Sequence, residues 1–391
     1  MHKISVGTVT ITEQAKTNIM QVLESGRLSY GPFLQKLEKD FAKIHECKFG
    51  IMSNSGTSAL HVALQALKEI HGWQDGDEVL VPAVTFVATS NIVIHNKMNP
   101  VFVDVEKEYY GIDPKKIEEK ITSKTRAIIP VHLFGLPCEM DTIMEIAKKY
   151  NLKIIEDSCE TMYAQYKGKM VGSLSEIGCF STYIAHLLIT GVGGINTTNN
   201  PEYATKIRSL INHGRDSIYI SIDDAKDKQG EELKEIIEAR FRFVSVGHSF
   251  RVTEMEGALG VAQLELLPEI IEKRRKNAAW LLEHLKPFEQ YMQLPKIRPG
   301  CDHSFMMFPI VMKHENKKRI VEFLENNSIE TREMLPLINQ PIYQELYHID
   351  EKEYPIAKWI NESGFYIGCH QDVTETDLHH IITVFSEYFK K

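Results

Sequence analysis

The feature that most restricts the fold of this chain is an alternation of short apolar runs with helical patterns between residues 50 and 200. The apolar runs have the length of strands and lie at Glu78–Thr85, Pro100–Val105, Ala127–Phe134, Lys153–Glu156 and Gly178–Thr182. The helical patterns that flank or separate them lie at Ser58–Glu69, Pro114–Ile121 and Met140–Lys149. Strands joined by helices form βαβ crossovers, so the alternation predicts a largely parallel sheet. Ligands of such sheets bind beyond the carboxyl ends of the strands.

The C-terminal third of the chain has a different pattern. A long helical segment with one charged face, Glu254–Asn277, leads into a mixed α/β region that ends in a helix at Glu375–Tyr388. A chain of 391 residues is long enough for two or three domains. We therefore predict a large domain at residues 1–250, which includes the N-terminal segment, and a smaller C-terminal α/β domain at 251–391. The charged and polar segment Ser217–Glu238 is predicted to be a surface excursion.

Composition excludes several classes of protein. Hydrophobic residues make up 43% of the chain and charged residues 25%, which is typical of globular rather than disordered or fibrous proteins. The net charge is −8 and no long basic run occurs, so neither nucleic acid nor an anionic membrane is expected as the main partner. The apolar stretch Val79–Ile94 is too short and too polar to span a bilayer, and residues 1–14 lack the apolar run of a secretory signal. We expect a cytoplasmic protein.

The cysteines are scattered along the sequence. They stand at positions 47, 138, 159, 179, 301 and 369. No two of them have the close spacing of a CxxC metal or redox motif. The sequence therefore predicts reduced thiols and neither a metal site nor an iron–sulfur cluster.

Two segments of the large domain carry residues that suit a phosphate or a cationic ring. Gly56 and Thr57 open a helix, whose first N–H groups and positive dipole end suit a phosphate. An ordinary helix cap is the alternative interpretation of this segment. Asp157 ends the strand that starts at Lys153, so its carboxylate is expected in the ligand crevice, where it could pair with a cationic ring nitrogen. A helix cap or a surface salt bridge is the alternative there.

A third segment, from Ser181 to His186, precedes the glycine-rich residues Thr190–Gly194. Glycines at this density allow the backbone to pass close to a ligand or to reverse direction. A single histidine in such a segment is more often structural than catalytic. The interpretation changes when the three segments are taken together, because their order along the chain matches that of a pyridoxal-phosphate site.

The chain resembles the DegT/DnrJ/EryC1/StrS family of nucleotide-sugar aminotransferases and dehydratases nearly from end to end. The resemblance is carried by the segments SNSGTSALHVALQAL, VPAVTFVATSN, IIPVHLFGLPCEMD, IIEDSCE, FSTYIAHLLITGVGG and RVTEMEGALGVAQLE. It implies the aspartate-aminotransferase fold, fold type I, in which a large domain with a mostly parallel sheet is joined to a smaller C-terminal α/β domain. It also implies a homodimer, and pyridoxal 5′-phosphate or pyridoxamine 5′-phosphate as the cofactor.

The same resemblance implies roles for individual residues. Gly56 and Thr57 correspond to the phosphate-binding turn, to which Ser181 adds a hydroxyl. Phe86 stands where the family has an aromatic ring that stacks on the pyridine of the cofactor. Asp157 stands where a carboxylate pairs with the ring nitrogen and keeps it protonated, which makes the cofactor an electron sink.

Three positions bear on the type of reaction. Glu160 occupies the position that contacts the ring hydroxyl of the cofactor, and an acidic residue there is typical of the dehydratase branch. His186 stands where the family has the lysine that forms the Schiff base. Imidazole has no primary amine, so the cofactor must be held non-covalently, but imidazole transfers protons near neutral pH. Ser249 stands where an asparagine reaches the phosphate of the neighbouring subunit, and it has no amide donor.

The replacement of lysine by histidine resembles the sugar 3-dehydratases of the family. It implies loss of the C3 hydroxyl from a nucleotide-linked 4-keto-6-deoxyhexose, with His186 as base and acid, and glutamate as the amino donor that recharges the cofactor. The isolated Cys301 and Cys369 disfavour the branch that carries an iron–sulfur cluster. The open alternatives are a nucleotide-sugar aminotransferase that uses glutamate, a non-catalytic relative that binds a sugar nucleotide, and an engineered exchange of lysine for histidine.

Overall fold

The computed structural model describes residues 3–216, 227–239 and 241–390. The predicted surface excursion at Ser217–Glu238 is therefore described only from residue 227 onward, and the helix Gly230–Ala239 lies there. Within the described ranges, no helix combines the length and the apolar character that a membrane crossing needs.

The described strands are β1 Phe49–Ser53, β2 Glu78–Pro82, β3 Asn99–Val103, β4 Thr125–Ile128, β5 Lys153–Asp157, β6 Gln165–Tyr166, β7 Lys169–Met170, β8 Ile177–Ser181, β9 Gly194–Thr198, β10 Met292–Gln293, β11 Phe308–Met312, β12 Thr331–Glu333 and β13 Gly364–Ile367. The described α-helices are α1 Glu13–Ser25, α2 Pro32–Ile44, α3 Gly56–His71, α4 Val87–His95, α5 Pro114–Ile117, α6 Met140–Tyr150, α7 Pro201–Ile211, α8 Gly230–Ala239, α9 Glu254–Leu285, α10 Lys318–Asn326, α11 Pro341–Tyr347, α12 Pro355–Ser363 and α13 Glu375–Phe389.

The large sheet has seven strands in the order β1-β9-β8-β5-β4-β2-β3. Strand β9 pairs antiparallel with both of its neighbours, β1 and β8, and the other pairs in the sheet are parallel. The predicted, largely parallel sheet is thus confirmed. Its strands are almost completely buried, because helices cover both faces of a parallel sheet.

The five strands expected from the sequence all form, with changes at their ends. The segment Ala127–Phe134 was predicted too long at its end, since β4 stops at Ile128 and the chain turns at Phe134, which has a φ of 57°. The helix predicted at Glu254–Asn277 continues to Leu285. Strands β1 and β9 were not predicted.

The small domain is built around a second, antiparallel sheet with the strand order β10-β11-β13-β12. Its core also contains Leu281 and Leu285 from the end of α9, and Ile4 from the start of the chain. Ile4 forms a parallel bridge with Ile329, so the first residues run along the small domain. The predicted domain boundary at 250/251 stays a prediction, and α9 begins four residues beyond residue 250, at Glu254.

Three parallel strands place the candidate site at one edge of the large sheet. Strand β2 leads into the loop with Phe86, β5 ends at Asp157, and β8 ends at Ser181. Parallel neighbours end at the same edge, which is where ligands bind in sheets of this kind. The N-terminus of α3 follows β1 directly and lies beside the end of β8, because Gly56 contacts Ser181.

Candidate active site

The N-terminus of α3 and the end of β8 form a cradle that suits an anion. Ser55 caps the helix, and its side chain accepts a hydrogen bond from the Ser58 N–H. A Cβ atom on Gly56 would lie 2.7 Å from the Cβ atom of Ser181 and 3.0 Å from the sulfur of Cys159, so only glycine fits. The first N–H groups of a helix have no intrahelical acceptor and carry the positive end of its dipole. Those of Gly56 and Thr57 thus lie beside the Ser181 hydroxyl, as a phosphate site requires.

Asp157 is a buried carboxylate at the carboxyl end of β5, with 3% of its surface exposed. Its Oδ2 atom accepts a hydrogen bond of 2.7 Å from the Thr89 hydroxyl, and Oδ1 accepts one of 3.1 Å from the Cys159 N–H. Burial raises the pKa of Asp157, and these hydrogen bonds oppose the rise. The carboxylate is therefore fixed in direction; the buried His132 also lowers its pKa, although the described salt bridge of His132 is with Glu156.

Phe86 lies between β2 and α4, and 56% of its side chain is exposed. Three residues later, Thr89 contacts Asp157, so the exposed ring belongs to the same edge of the sheet as the carboxylate. The adjacent Thr85 hydroxyl lies 3.0 Å from that of Thr89, and this hydrogen bond fixes the backbone on both sides of Phe86. An exposed aromatic side chain beside a buried carboxylate suits a flat, cationic ring.

Glu160 lies one turn beyond Asp157. Its Oε2 atom accepts a 3.0 Å hydrogen bond from the N–H of Phe134, a residue in the left-handed backbone region. Burial raises the pKa of Glu160 to about 7, and the nearby Asp157 carboxylate adds to the rise. A substantial fraction of Glu160 is thus protonated at neutral pH, and in that form the side chain is a hydrogen-bond donor.

His186 lies on the loop after β8, with its imidazole directed back at the strand end. Its Nδ1 atom is 3.1 Å from the carbonyl oxygen of Ser181, and a carbonyl oxygen only accepts, so Nδ1 carries the proton. The Nε2 atom is then the unprotonated nitrogen. Burial lowers the pKa of His186 to about 4, against the effect of the hydrogen bond that His186 donates to the Ser181 carbonyl, so the ring is neutral at pH 7.

Ser249 makes no described contact with these site residues, although the carbonyl of its neighbour Phe250 accepts a 2.7 Å hydrogen bond from the Asn54 N–H, two residues before Gly56. Ser249 forms a bridge with Asn212, and its hydroxyl accepts a 3.0 Å hydrogen bond from the guanidinium of Arg251. Ser249 and Arg251 line a cavity of about 400 Å³ that is also lined by Tyr30 and Arg208. The role predicted for Ser249 places it at the site of a neighbouring subunit and stays a prediction.

Two residues of the site had no predicted role, although both lie in segments that carry the resemblance to the family. Thr89 and Cys159 both donate to Asp157 and thereby hold its carboxylate. A weak signal for Thr89 was present in the sequence, because Thr85 and Thr89 are spaced by one helical turn at the end of an apolar strand. The predicted roles of the remaining site residues stay predictions. Among the described residues, no group of three or more His, Cys, Asp and Glu side chains is placed to hold a metal ion.

Comparison with known proteins identifies the family. The sequence profile of the DegT/DnrJ/EryC1/StrS aminotransferase family matches residues 9–386. The chain belongs to this family. Two curated relatives are 30% identical to it: GDP-perosamine synthase of Caulobacter vibrioides, over 98% of both chains, and GDP-4-keto-6-deoxy-D-mannose 3-dehydratase of Yersinia pseudotuberculosis, over 96% of both.

A solved structure confirms the fold. The E. coli GDP-4-keto-6-deoxy-D-mannose-3-dehydratase with bound hydrated PLP superposes with a TM-score of 0.89 and 26% identity, over 98% of this chain and 99% of that one. The chain thus has the pyridoxal-phosphate fold type I that the resemblance implied. It is a member of a family of pyridoxal-phosphate-dependent enzymes that modify nucleotide-linked sugars, and the relatives include both a perosamine synthase and a 3-dehydratase.

The histidine at position 186 leads to a testable prediction: the cofactor is not covalently bound to the chain. A Schiff base needs a primary amine, and His186 has none. We expect borohydride treatment of the protein with pyridoxal phosphate to leave no pyridoxyl adduct on the chain, as measured by intact-protein mass and peptide mapping. The His186→Lys variant is the matched control, and it should acquire one adduct, at residue 186. A stable adduct on the unsubstituted chain, for example at Lys169, would contradict the prediction.

Proposed function

We propose that this protein is a 3-dehydratase of nucleotide-sugar biosynthesis that acts on a nucleotide-linked 4-keto-6-deoxyhexose. Its cofactor is pyridoxal 5′-phosphate or pyridoxamine 5′-phosphate, bound without a covalent bond to the chain. Glutamate is the proposed amino donor that regenerates the amine form. The observation that carries the proposal is His186, an imidazole at the position of the Schiff-base lysine, with Nε2 free to accept a proton.

The residues present fit this cofactor. The cradle at Gly56 has no room for a side chain and offers N–H groups and the Ser181 hydroxyl to a phosphate. Asp157 would pair with the ring nitrogen, and Phe86 would cover one face of the ring. When bound, the protonated cofactor supplies an electron sink that permits loss of a hydroxyl from the carbon next to an imine. Together these contacts replace the hold that a covalent bond to lysine would give.

The state of His186 suits a general base. The Ser181 carbonyl selects the tautomer with the proton on Nδ1, so a proton from the reacting group is accepted at Nε2. Since its pKa is lowered to about 4, the ring is unprotonated throughout the neutral range, but a base of this pKa accepts a proton less readily than one with a pKa near 7. After accepting, the imidazolium is a strong acid in these surroundings, and it returns the proton from Nε2 to the departing hydroxyl. Positioned proton transfer of this kind contributes about 10²–10⁴-fold to a rate.

Burial raises the pKa of Glu160 and lowers that of His186, so at neutral pH Glu160 can donate a proton and His186 can accept one. A carboxyl group with a pKa of about 7 keeps a proton where an ordinary glutamate has lost it. In the protonated form Glu160 donates a hydrogen bond to the ring hydroxyl that the family places beside it. Pairs of groups whose surroundings separate their pKa values mark the acid and the base of a site.

A nucleotide-sugar aminotransferase is the second candidate, and the similarity to GDP-perosamine synthase of Caulobacter vibrioides supports it. Against it stands the absence of a primary amine at position 186. The products separate the candidates: a dehydratase releases a 3-deoxy keto sugar and ammonia, and an aminotransferase accumulates an amino sugar from the keto sugar and glutamate. A non-catalytic relative would leave the sugar unchanged.

A homodimer is part of the proposal. The segment before Ser249 exposes apolar side chains, with Phe241 77% and Val246 86% exposed, and exposed apolar clusters mark contact surfaces. A partner that covers them would receive Ser249 at its own site. We expect light scattering to give the mass of two chains at micromolar concentration. A single-chain mass under those conditions would argue against a site shared between subunits.

His186→Asn separates catalysis from binding. Asparagine keeps a hydrogen-bond donor near Ser181 but cannot transfer protons, so the variant should bind pyridoxamine phosphate and lose the dehydration rate by about 10²–10⁴-fold. Binding is followed by fluorescence titration and the reaction by product mass, over a panel of nucleotide 4-keto-6-deoxy sugars. His379→Asn, at an exposed position on α13, is the control. Turnover by His186→Asn at the unsubstituted rate would make this residue structural.

The pKa of Glu160 predicts a pH dependence of cofactor affinity. Its proton is present below pH 7 and is lost as the pH rises through about 7, so the hydrogen bond to the cofactor is lost in that direction. The dissociation constant of pyridoxamine phosphate should therefore rise above pH 7 more steeply for the unsubstituted chain than for Glu160→Gln, which keeps an N–H donor at all pH values. Glu24→Gln, an exposed position, serves as control. Equal slopes for Glu160→Gln and the unsubstituted chain would disprove this role.

A further inference from the structure

A segment that follows β12, residues 335–347 and called here the strap, packs against the large sheet and not within the small-domain core. Leu337, Ile338 and Tyr343 are completely buried, and they belong to the same core cluster as residues of β2 and β3. The ring of Tyr343 packs edge to face on Phe102 of β3, with 5.8 Å between the ring centroids. The strap thus brings residues from the C-terminal part of the chain to the strand that leads into the candidate site.

The strap pairs with the backbone that leads into Phe86. Residues 83–85, which follow the end of β2, lie antiparallel to residues 335–337 of the strap. Two backbone hydrogen bonds join the pair: the Thr85 N–H donates to the Leu335 carbonyl at 3.0 Å, and the Leu337 N–H donates to the Ala83 carbonyl at 3.1 Å. The strap therefore continues the backbone pairing of β2 up to the residue before Phe86.

The strap also contacts the chain on the other side of Phe86, through the hydroxyl of Tyr343. This hydroxyl lies 2.6 Å from the Oδ1 atom of Asn91 and 3.2 Å from the carbonyl oxygen of Val87, the residue after Phe86. Both neighbours are acceptors, and a tyrosine hydroxyl has one proton to donate. Tyr343 thus holds the first turn of α4, while the backbone pairing holds the residues before it.

The side-chain hydrogen bonds of this loop do not replace the strap. The hydroxyl contact between Thr85 and Thr89 closes the loop on itself, and the bond from Thr89 to Asp157 ties it to β5, but neither pairs a backbone group of residues 83–85. Ala83 is 0% and Thr85 is 2% exposed, so water has almost no access to them. Buried backbone groups without a partner are costly, and the strap supplies the described partners of the Ala83 carbonyl and the Thr85 N–H.

We propose that the strap is a positioning element of the cofactor site, and that Tyr343 is a positioning residue that acts through Phe86. More than half of the Phe86 side chain is exposed, so packing around the ring constrains it little and the backbone determines where it lies. That backbone is bonded to the strap on both sides of Phe86. A cofactor ring on Phe86 and the pairing of the strap then stabilise each other. The inference rests on the stacking role of Phe86 in the proposed function.

Hydrogen exchange followed by mass spectrometry tests the coupling from the side of the cofactor. Saturating pyridoxamine phosphate should slow exchange at residues 335–338 about fivefold, the factor of one net hydrogen bond, because the Leu337 N–H exchanges only when its bond to Ala83 opens. Inorganic phosphate is the control ligand, since it occupies the cradle at Gly56 without a ring to stack on Phe86, and it should leave this exchange unchanged. No effect of pyridoxamine phosphate, or equal effects of both ligands, would overturn the proposal.

Coupling is reciprocal, so a change in the strap must alter cofactor affinity. Tyr343→Phe removes the hydroxyl and keeps the buried ring, and it should raise the dissociation constant of pyridoxamine phosphate about fivefold in fluorescence titrations. Tyr388→Phe is the matched control, because its hydroxyl bonds to Glu315 instead, and it should bind like the unsubstituted chain. Both variants should bind inorganic phosphate unchanged. An equal loss of phosphate binding by Tyr343→Phe would show general damage to the fold and contradict a role through Phe86.

A double-mutant cycle decides whether Tyr343 acts through Phe86. Phe86→Ala should weaken the binding of pyridoxamine phosphate, and adding Tyr343→Phe to it should cause no further loss, so the two effects are non-additive. Additive effects, or unchanged affinity in Tyr343→Phe, would make the strap merely structural. Unchanged affinity in Phe86→Ala would overturn the stacking role and this proposal together. Failure of every nucleotide sugar to lose water would disprove the dehydratase function, and the binding cycle would still decide on the strap.

Discussion

The site depends on one buried carboxylate, Asp157 at the carboxyl end of β5. Removing an ionised carboxylate from water costs several kcal/mol, and hydrogen bonds to a charged group return about 1.5–3 kcal/mol each. Thr89 and Cys159 supply two such bonds and fix the direction of the carboxylate. A protonated ring nitrogen in the open direction would complete its stabilisation. The cost of burying Asp157 is therefore an argument for a cationic ligand, and the same burial makes the pairing strong in the absence of a covalent bond.

Position 186 shows how one substitution redirects a site that is otherwise intact. The cradle at Gly56, the carboxylate of Asp157 and the exposed ring of Phe86 are what a pyridoxal-phosphate enzyme of this fold needs to hold its cofactor. A lysine among them would both bind the cofactor and transfer protons. Histidine retains the second capacity alone, and the Ser181 carbonyl fixes which nitrogen carries it. The loss of the covalent bond and the retained capacity for proton transfer would thus come from one side chain, which is the basis for proposing elimination rather than amino-group exchange.

Much of this was predictable from the sequence, and the failures have physical reasons. The parallel strands were predictable because their apolar runs are continuous, and the segments of the candidate site because they occur in family order. Strand β9 was not, because Asn196, Thr197 and Thr198 are polar yet buried. Their side chains form hydrogen bonds with partners distant in sequence, for example the Gly172 carbonyl, which accepts from the Thr197 hydroxyl at 2.8 Å. The side chains of Glu156 and Asp157, which end β5, face opposite sides of the sheet, as successive residues of a strand do. The Glu156 carboxylate therefore lies away from the candidate site, where it accepts hydrogen bonds from the N–H groups of Gly172 and Leu174.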